Sequence, residues 1–332
     1  MNHLETLYHG LNNLVRVSET ELAESLANLC HPDARWYLSA PMKECSDHNA
    51  IIAEYLLPLR RAFSHLHRRT ELFLCGESRV KPGQTWVSTM GHLVGNFSGS
   101  LFGLAPNHHL AFVRFGEFYH LEDGKITEAR ILIDWVDLMR QAGCMPLTVS
   151  LGTEMPFPCP ASHDGVRLTP ASPEESATTV ELVESMIFSL TRFDPTTFES
   201  AGQTGKGGFW HENMLWYGPA GIGSNLSYEG FQKDHRIPFL NGFPDRIGGD
   251  HYSRFGCGPY ACSGGWPSVR GTHNGDYLGV AATGKPIGMR VMDFWRAEEG
   301  QLIENWVFID FVDLFAQMGV DLLERARHIQ AN

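Results

Sequence analysis

Each half of the chain carries acids where proton-transfer chemistry could be done. The stretch Ile133-Asp134-Trp135-Val136-Asp137-Leu138 recurs as Ile309-Asp310-Phe311-Val312-Asp313-Leu314. Seven of the eleven positions from Ile133 to Gly143 match their partners from Ile309 to Gly319. An acid–Gly hairpin turn precedes each copy, at Asp123-Gly124 and at Glu299-Gly300. A two-residue turn at Glu299-Gly300 sets Asp293 opposite Trp306, Val291 opposite Phe308 and Met289 opposite Asp310. Strand side chains alternate, so Asp293, Trp306 and Asp310 are expected on one face with Met289, Val291 and Phe308. Carboxylates among so many apolar groups are costly to bury, and desolvation raises their pKa toward neutrality. That combination suits a general acid or base in an apolar pocket. The first half repeats the pattern, with Glu117 opposite Arg130 and Asp134 on the same face beyond Leu132.

Plainer explanations stand beside these. Asp134 and Asp310 each precede a short helix and could cap it, although Asp137 and Asp313 stand at the same helix start and could cap it instead. Glu117 and Arg130 could be an ordinary cross-strand ion pair. His273 could hydrogen-bond an enolate oxygen, or only a backbone carbonyl. Trp216 and His92 are candidate pocket residues, and His235 and His251 are further ones. His65-x-His67 lacks a third convergent ligand, so no metal is expected. Gly205-Lys206-Gly207-Gly208 lacks the preceding strand and the Lys-Ser/Thr ending of a phosphate loop. The seven cysteines form no CxxC pair, which leaves neither a zinc knuckle nor a redox motif.

The elements that must position these groups recur as well. Helices are expected over residues 3–15 and 19–29, the second opened by the capping box Ser18-x-x-Glu21. A strand follows at 34–38, then a helix from Asn49 to Phe63 that Pro58 must kink or divide. Strands are expected at 71–75, 85–92, 109–121 and 126–134, and a short helix ends at Gly143. Trp36, Pro58 and Phe63 reappear 180 residues later as Trp216, Pro238 and Phe243; Arg114, Phe118 and Gly124 reappear 176 later as Arg290, Phe294 and Gly300. So long a repeat indicates two domains of one fold. The expected boundaries are residues 1–146, a proline-rich linker 147–172, and 173–332. Helices first and strands after them indicate α+β, a curved antiparallel sheet with helices on one face.

A net charge of −12 argues against a nucleic-acid surface, and no apolar run is long enough to span a membrane. The start Met1-Asn2-His3-Leu4-Glu5 lacks the regions of a secretory signal, so a cytoplasmic protein is expected.

The second half strings together Gly271-Thr272-His273-Asn274-Gly275, Ala282-Thr283-Gly284-Lys285-Pro286, Glu299-Gly300, Glu304-Asn305-Trp306 and Asp310. This ordered set resembles the SnoaL-like polyketide cyclase and ester cyclase family, over nearly all of residues 175–325. The first half is a divergent relative, with Arg130 where the family has Trp. The resemblance implies two tandem cone-shaped α+β barrels of the nuclear-transport-factor-2 (NTF2) type, paired as a pseudo-dimer. It implies cofactor-independent aldol-type ring closure, or a related lyase or isomerase reaction, on a hydrophobic carbonyl compound. An Asp on the last strand is then the acid/base, mapping to Asp310 and, in the first half, to Asp134. On that basis His273 and Asp293 orient the substrate or tune Asp310, while Trp306, Phe308 and Met289 shape the pocket. The rival function is non-catalytic binding of a small apolar ligand, since the fold hosts many functions. The first half could equally be a scaffold whose old pocket is filled by a Glu117–Arg130 ion pair. Intramolecular domain pairing is expected, and further self-association is left open.

Overall fold

The computed structural model describes residues 2–332. In the first repeat, α1 (His3–Asn13) and α2 (Leu22–Leu29) lead into β1 (Cys30–Leu38), α3 (His48–Ile51) and α4 (Leu57–Ala62). Then come β2 (Phe63–Glu77), β3 (Thr85–Phe97), β4 (Leu110–Glu122), β5 (Lys125–Ile133) and α5 (Trp135–Gln141). The second repeat runs α6 (Pro173–Leu190), β6 (Trp210–Tyr217), β7 (Asn225–Leu226), α7 (Ser227–Phe231), α8 (Ile237–Gly242) and β8 (Ile247–Gly248). It continues with β9 (His251–Cys257), β10 (Tyr260–Thr272), β11 (Pro286–Glu298), β12 (Gln301–Ile309), α9 (Phe311–Met318) and α10 (Leu322–Ala331). The sheet orders are β1-β5-β4-β3-β2 and β7-β6-β12-β11-β10-β8, with β9 also paired to β10. Each first strand lies parallel to the last, and the other pairings are antiparallel. Two NTF2-like α+β barrels thus stand in tandem. No helix among the described residues is long and apolar enough to cross a membrane.

Local chemistry explains the repeated details. Both hairpin turns place an acid and a glycine at positive φ (Asp123 45°, Gly124 77°; Glu299 50°, Gly300 80°), as a type I′ turn requires. Pro58 and Pro238 cannot donate a backbone hydrogen bond, and a π turn precedes each, at Ile52–Leu56 and Gln232–Arg236.

The two sheets pack face to face. Phe118, Trp86, Met90 and Leu132 of one meet Tyr252, Phe255, Phe294, Trp306 and Phe308 of the other. The approach is close enough that a Cβ on Gly116 would lie 2.9 Å from the Phe308 ring. Residues 144–172 are threaded against both repeats: Phe157 is buried with the interface aromatics, and the backbone of Thr153 bridges to Ser224. The C-terminal helix crosses over, with Leu323 and Ala326 in the first repeat's core and Arg327 donating to the carbonyl of Phe102 at 3.0 Å.

Asp134 and Asp310 join the repeats. Each caps its short helix, accepting from the N–H of Asp137 at 3.0 Å and of Asp313 at 3.2 Å. Each pairs with an arginine of its own sheet, Arg114 at 3.0 Å and Arg290 at 2.9 Å. The second oxygen of Asp134 accepts from the backbone N–H of Ala220 at 2.9 Å, and that of Asp310 from Ala40 at 3.0 Å. The expectation that Asp137 and Asp313 would cap and free the earlier acids is corrected, because geometry puts the cap oxygen on Asp134 and Asp310. Arg114 is fully buried, whereas Arg290 retains 27 % exposure. Replacing Asp134 with Ala should destabilise the fold by about 2 kcal/mol, through loss of the helix cap, of the bond to Ala220 and of one of the carboxylates that neutralise buried Arg114, Asp137 remaining at 3.1 Å. Asp310→Ala should cost less, because water reaches Arg290. The order of the urea unfolding midpoints checks this, and a wild-type midpoint for Asp134→Ala would contradict it.

Candidate active site

A cavity of about 370 Å³ lies between the helices and the inner sheet face of the second repeat. Met289, Val291, Asp293 and Trp295 of β11 alternate into it, beside Asn305, Val307 and Ile309 of β12. His235 and Phe239, from the π turn and α8, lie against it with Trp216 of β6.

The lining differs from the sequence expectation because of one bulge. The ladder pairs Glu298 with Gln301 and Ala297 with Leu302, then skips to Arg296 with Glu304. Beyond the skip, Asp293 lies opposite Val307, Phe294 opposite Trp306 and Met292 opposite Phe308. A one-residue slip moves a strand's whole side-chain set to the other face. Met289 and Asp293 therefore line the cavity as their positions suggested, while Trp306 and Phe308 turn to the interface between the sheets. The Trp306 indole N–H donates to the carbonyl of Pro158 at 3.1 Å, and Phe308 meets Phe157 at 5.2 Å between ring centroids. Asp310 and Asp134 are likewise outside the cavity, held in the inter-repeat contacts above.

Other candidates are placed elsewhere too. His273 follows β10, fully buried, its Nδ1 3.0 Å from Thr283 Oγ1 and its ring against Phe243. His92 uses Nε2 to accept from the N–H of Phe157 at 3.2 Å; burial and the Arg114 charge push its pKa down to about 4. It is a neutral structural histidine. The bulge recurs in the first repeat, between His120 and Leu121, and places Arg130 opposite Phe118 rather than Glu117. Arg130 pairs with Glu128 at 2.6 Å and stacks over Tyr37 and Tyr252.

Glu117 is the first repeat's counterpart of Asp293, 176 residues earlier, and a different arginine neutralises it. Arg68 reaches both its oxygens, at 2.8 and 2.5 Å, and the Tyr119 hydroxyl donates to it at 2.7 Å. Arg68 pairs with Leu93 across the ladder, as Gly248 pairs with Val269 in the second repeat. A glycine therefore stands where the first repeat inserts a guanidinium. The missing side chain leaves the second cavity open at that point.

Asp293 has no ion pair within 4 Å among the described residues. Burial pushes its pKa up to about 7, against the pull of the Arg254 charge and a hydrogen bond from the Asn305 side chain. Arg254 is shared with Glu184 at 3.5 Å and Ser263 Oγ at 3.2 Å. His235 stacks on Trp216 with centroids 4.4 Å apart, and burial, then Arg236, lowers its pKa to about 3. His251 approaches Ser268 Oγ at 3.1 Å and is lowered to about 4, first by burial and then by Arg254. Both imidazoles are neutral at pH 7, which leaves Asp293 titrating near neutrality in this wall. Sequence reasoning passed over Arg254, Asn305 and Ser263, since no spacing rule brings β9, β12 and β10 together. Among the described residues, no group of three or more His, Cys, Asp or Glu could hold a metal ion.

The shift of Asp293 has a stability consequence. Its folded pKa lies above the unfolded value of about 3.9, so its contribution is full below about pH 4 and is lost as pH rises through about 7. Asp293→Asn should remove that loss: its melting temperature should exceed the wild type's by more at pH 8 than at pH 5. A gap that stays constant with pH would contradict the raised pKa.

The sequence profile of SnoaL-like polyketide cyclases matches residues 12–142 and 267–318, more than half of the chain. No curated protein matches. Similar solved structures include IdmH of Streptomyces antibioticus, at 21 % identity over 41 % of this chain and 98 % of that chain, with a TM-score of 0.33. AclR of Streptomyces galilaeus shows 20 % identity over 43 % and 86 %, with a TM-score of 0.34. An NTF2-like protein of Burkholderia thailandensis shows 18 % identity over 43 % and 97 %, with a TM-score of 0.33. On the extent of the profile match, which takes in segments of both repeats, the chain belongs to the SnoaL-like polyketide cyclase family.

Proposed function

We propose that the second repeat is a cofactor-independent acid/base site for an apolar carbonyl compound, and that Asp293 moves the proton. The observation that carries this reading is a lone carboxyl, free of any ion pair within 4 Å among the described residues, on the wall of a largely apolar cavity. As a carboxylate, Asp293 removes a proton α to a carbonyl and leaves an enolate. The enolate carbon attacks a second carbonyl of the same molecule and closes a ring, and the protonated Asp293 returns its proton to the new alkoxide. The Arg254 charge near Asp293, shared with Glu184, supplies positive potential for the oxygen that becomes negative, while the Asn305 amide, donating to the Phe294 carbonyl at 2.9 Å, helps to hold the wall. The surrounding side chains are mostly apolar, and the cavity is of a size that suits small ligands. Asp310 and Asp134 have no part in this scheme, and the first repeat acts as a scaffold.

Proton abstraction can be read without the natural substrate. A bicyclic ketone such as 2-tetralone, incubated with the protein in deuterated buffer, should take up deuterium faster than in buffer alone. The rate should climb as pH rises through about 7, where Asp293 ionises. Asp293→Asn should lower it at least about 100-fold, the lower end of what a positioned general base contributes. Asp310→Asn should keep the rate per folded molecule. Full exchange by Asp293→Asn would remove the acid/base role and favour a protein that only binds its ligand.

A further inference from the structure

The mouth of the same cavity holds charge that proton transfer at Asp293 does not use. Arg236 and Arg246 both line the cavity, and the Phe193 ring lies under both, 5.7 and 4.9 Å from the two guanidinium carbons. Neither is within 4 Å of a carboxylate among the described residues. Arg236 is held by neutral acceptors: the carbonyls of Phe198 and Leu190, Ser200 Oγ at 2.6 Å, Gln232 Oε1 at 3.0 Å and the Tyr228 hydroxyl. Arg246 is half-buried and its guanidinium makes one hydrogen bond, from Nη1 to the carbonyl of Phe243 at 3.4 Å. Its sequence neighbour Asp245 is committed elsewhere, accepting from the N–H of Thr272 at 2.7 Å. Burial, and then the charge of Arg236, pushes the pKa of Arg246 down to about 10. It remains charged at pH 7, but the site works against it.

Two mutually repelling, partly desolvated cations without a counterion are unexpected in a chain with 38 acids against 26 lysines and arginines. Leaving such a charge uncompensated is costly, and an anion supplied from outside would relieve it. A carboxylate suits the fork of a guanidinium, which can give it two parallel hydrogen bonds. The remaining wall suits a flat apolar body, with His235 and Trp216 stacked and Phe239 stacked on His235. We propose that the ligand of this cavity is an amphipathic acid: an apolar ring system lies against the aromatic wall and a carboxylate is bound by Arg246 at the mouth. Arg236 adds positive potential and is fixed by its own hydrogen bonds. This deepens the reading of the cavity as a substrate site, and it concerns binding alone.

The test uses 2-naphthoate and its methyl ester, which share a ring system and differ in charge. Trp210, Trp216 and Trp295 line the cavity, so quenching of intrinsic fluorescence reports binding. The acid should bind at least about tenfold more tightly than the ester, the worth of a charge-assisted hydrogen bond. Arg246→Gln should bring the two affinities together while leaving that of the ester unchanged, which also shows that the variant is folded. Arg246→Lys should keep part of the preference. Equal affinity in the wild type, a preference that survives Arg246→Gln, or no binding of naphthoate would overturn the proposal. Asp293→Asn, measured in the same series, should keep the preference, because binding needs no proton transfer. A failed deuterium-exchange assay with an intact preference would thus sink the catalytic reading alone, and the reverse result would sink this one alone.

Discussion

The hydrogen bonds that cross between the repeats at Asp134 and Asp310 fix how everything else is arranged. Each carboxylate holds the first turn of its own helix, an arginine of its own sheet and a backbone N–H of the other repeat. The receiving alanines, Ala40 and Ala220, are equivalent by the 180-residue offset. The contact is therefore reciprocal, as in an isologous dimer, although one chain supplies both sides. With the repeats held this way, the outer sheet faces bury each other's aromatics, down to Gly116 under the Phe308 ring. Only the inner faces are left to enclose a cavity.

The two inner faces solve the same problem differently. Each carries an acid at the same ladder position, Glu117 in one and Asp293 in the other. In the first repeat Arg68 neutralises the acid through both oxygens and lies over the Phe115 ring, 4.0 Å from its centroid. A buried pair of that kind is costly to break and leaves little room for a ligand. In the second repeat Gly248 takes the arginine's ladder position, so the acid meets its desolvation by holding a proton instead. Arg68 against Gly248 is thus one difference that separates an ion-paired acid from one without such a partner.

The duplication and the α+β order were legible along the chain, as were the Ser18 capping box and both acid–Gly hairpin turns, which depend on neighbouring residues. Ser18-x-x-Glu21 forms its capping box, whereas at the two short helices the cap lies on Asp134 and Asp310. Side-chain facing was not legible, and β12 shows why. Trp306 and Phe308 are buried between the sheets while Val307 and Ile309 are buried on the cavity side, so no polar alternation exposes a one-residue slip. The double role of Asp310 was equally hidden, since its bond to Ala40 spans 270 residues. Met289, Asp293 and Trp216 reach the cavity as pattern suggested. Arg246 and Arg254 do not stand out locally, and their meaning comes from which partners they lack or share in space.

The acid expected on the last strand can be reconciled with one on the strand before it. The last strand presents Asn305, Val307 and Ile309 to the cavity and offers no carboxyl there. Asp293 lies directly across the ladder from Val307. Side chains at directly opposed positions of an antiparallel pair have Cβ atoms about 5 Å apart on one face. A carboxyl carried by either position therefore reaches nearly the same part of the cavity. The chemistry depends on where the oxygen stands, and strand pairing lets a neighbouring strand deliver it. The bulge beside Arg296 sets this register, because without that extra residue Asp293 would stand opposite Trp306 and Val307 would turn to the other face.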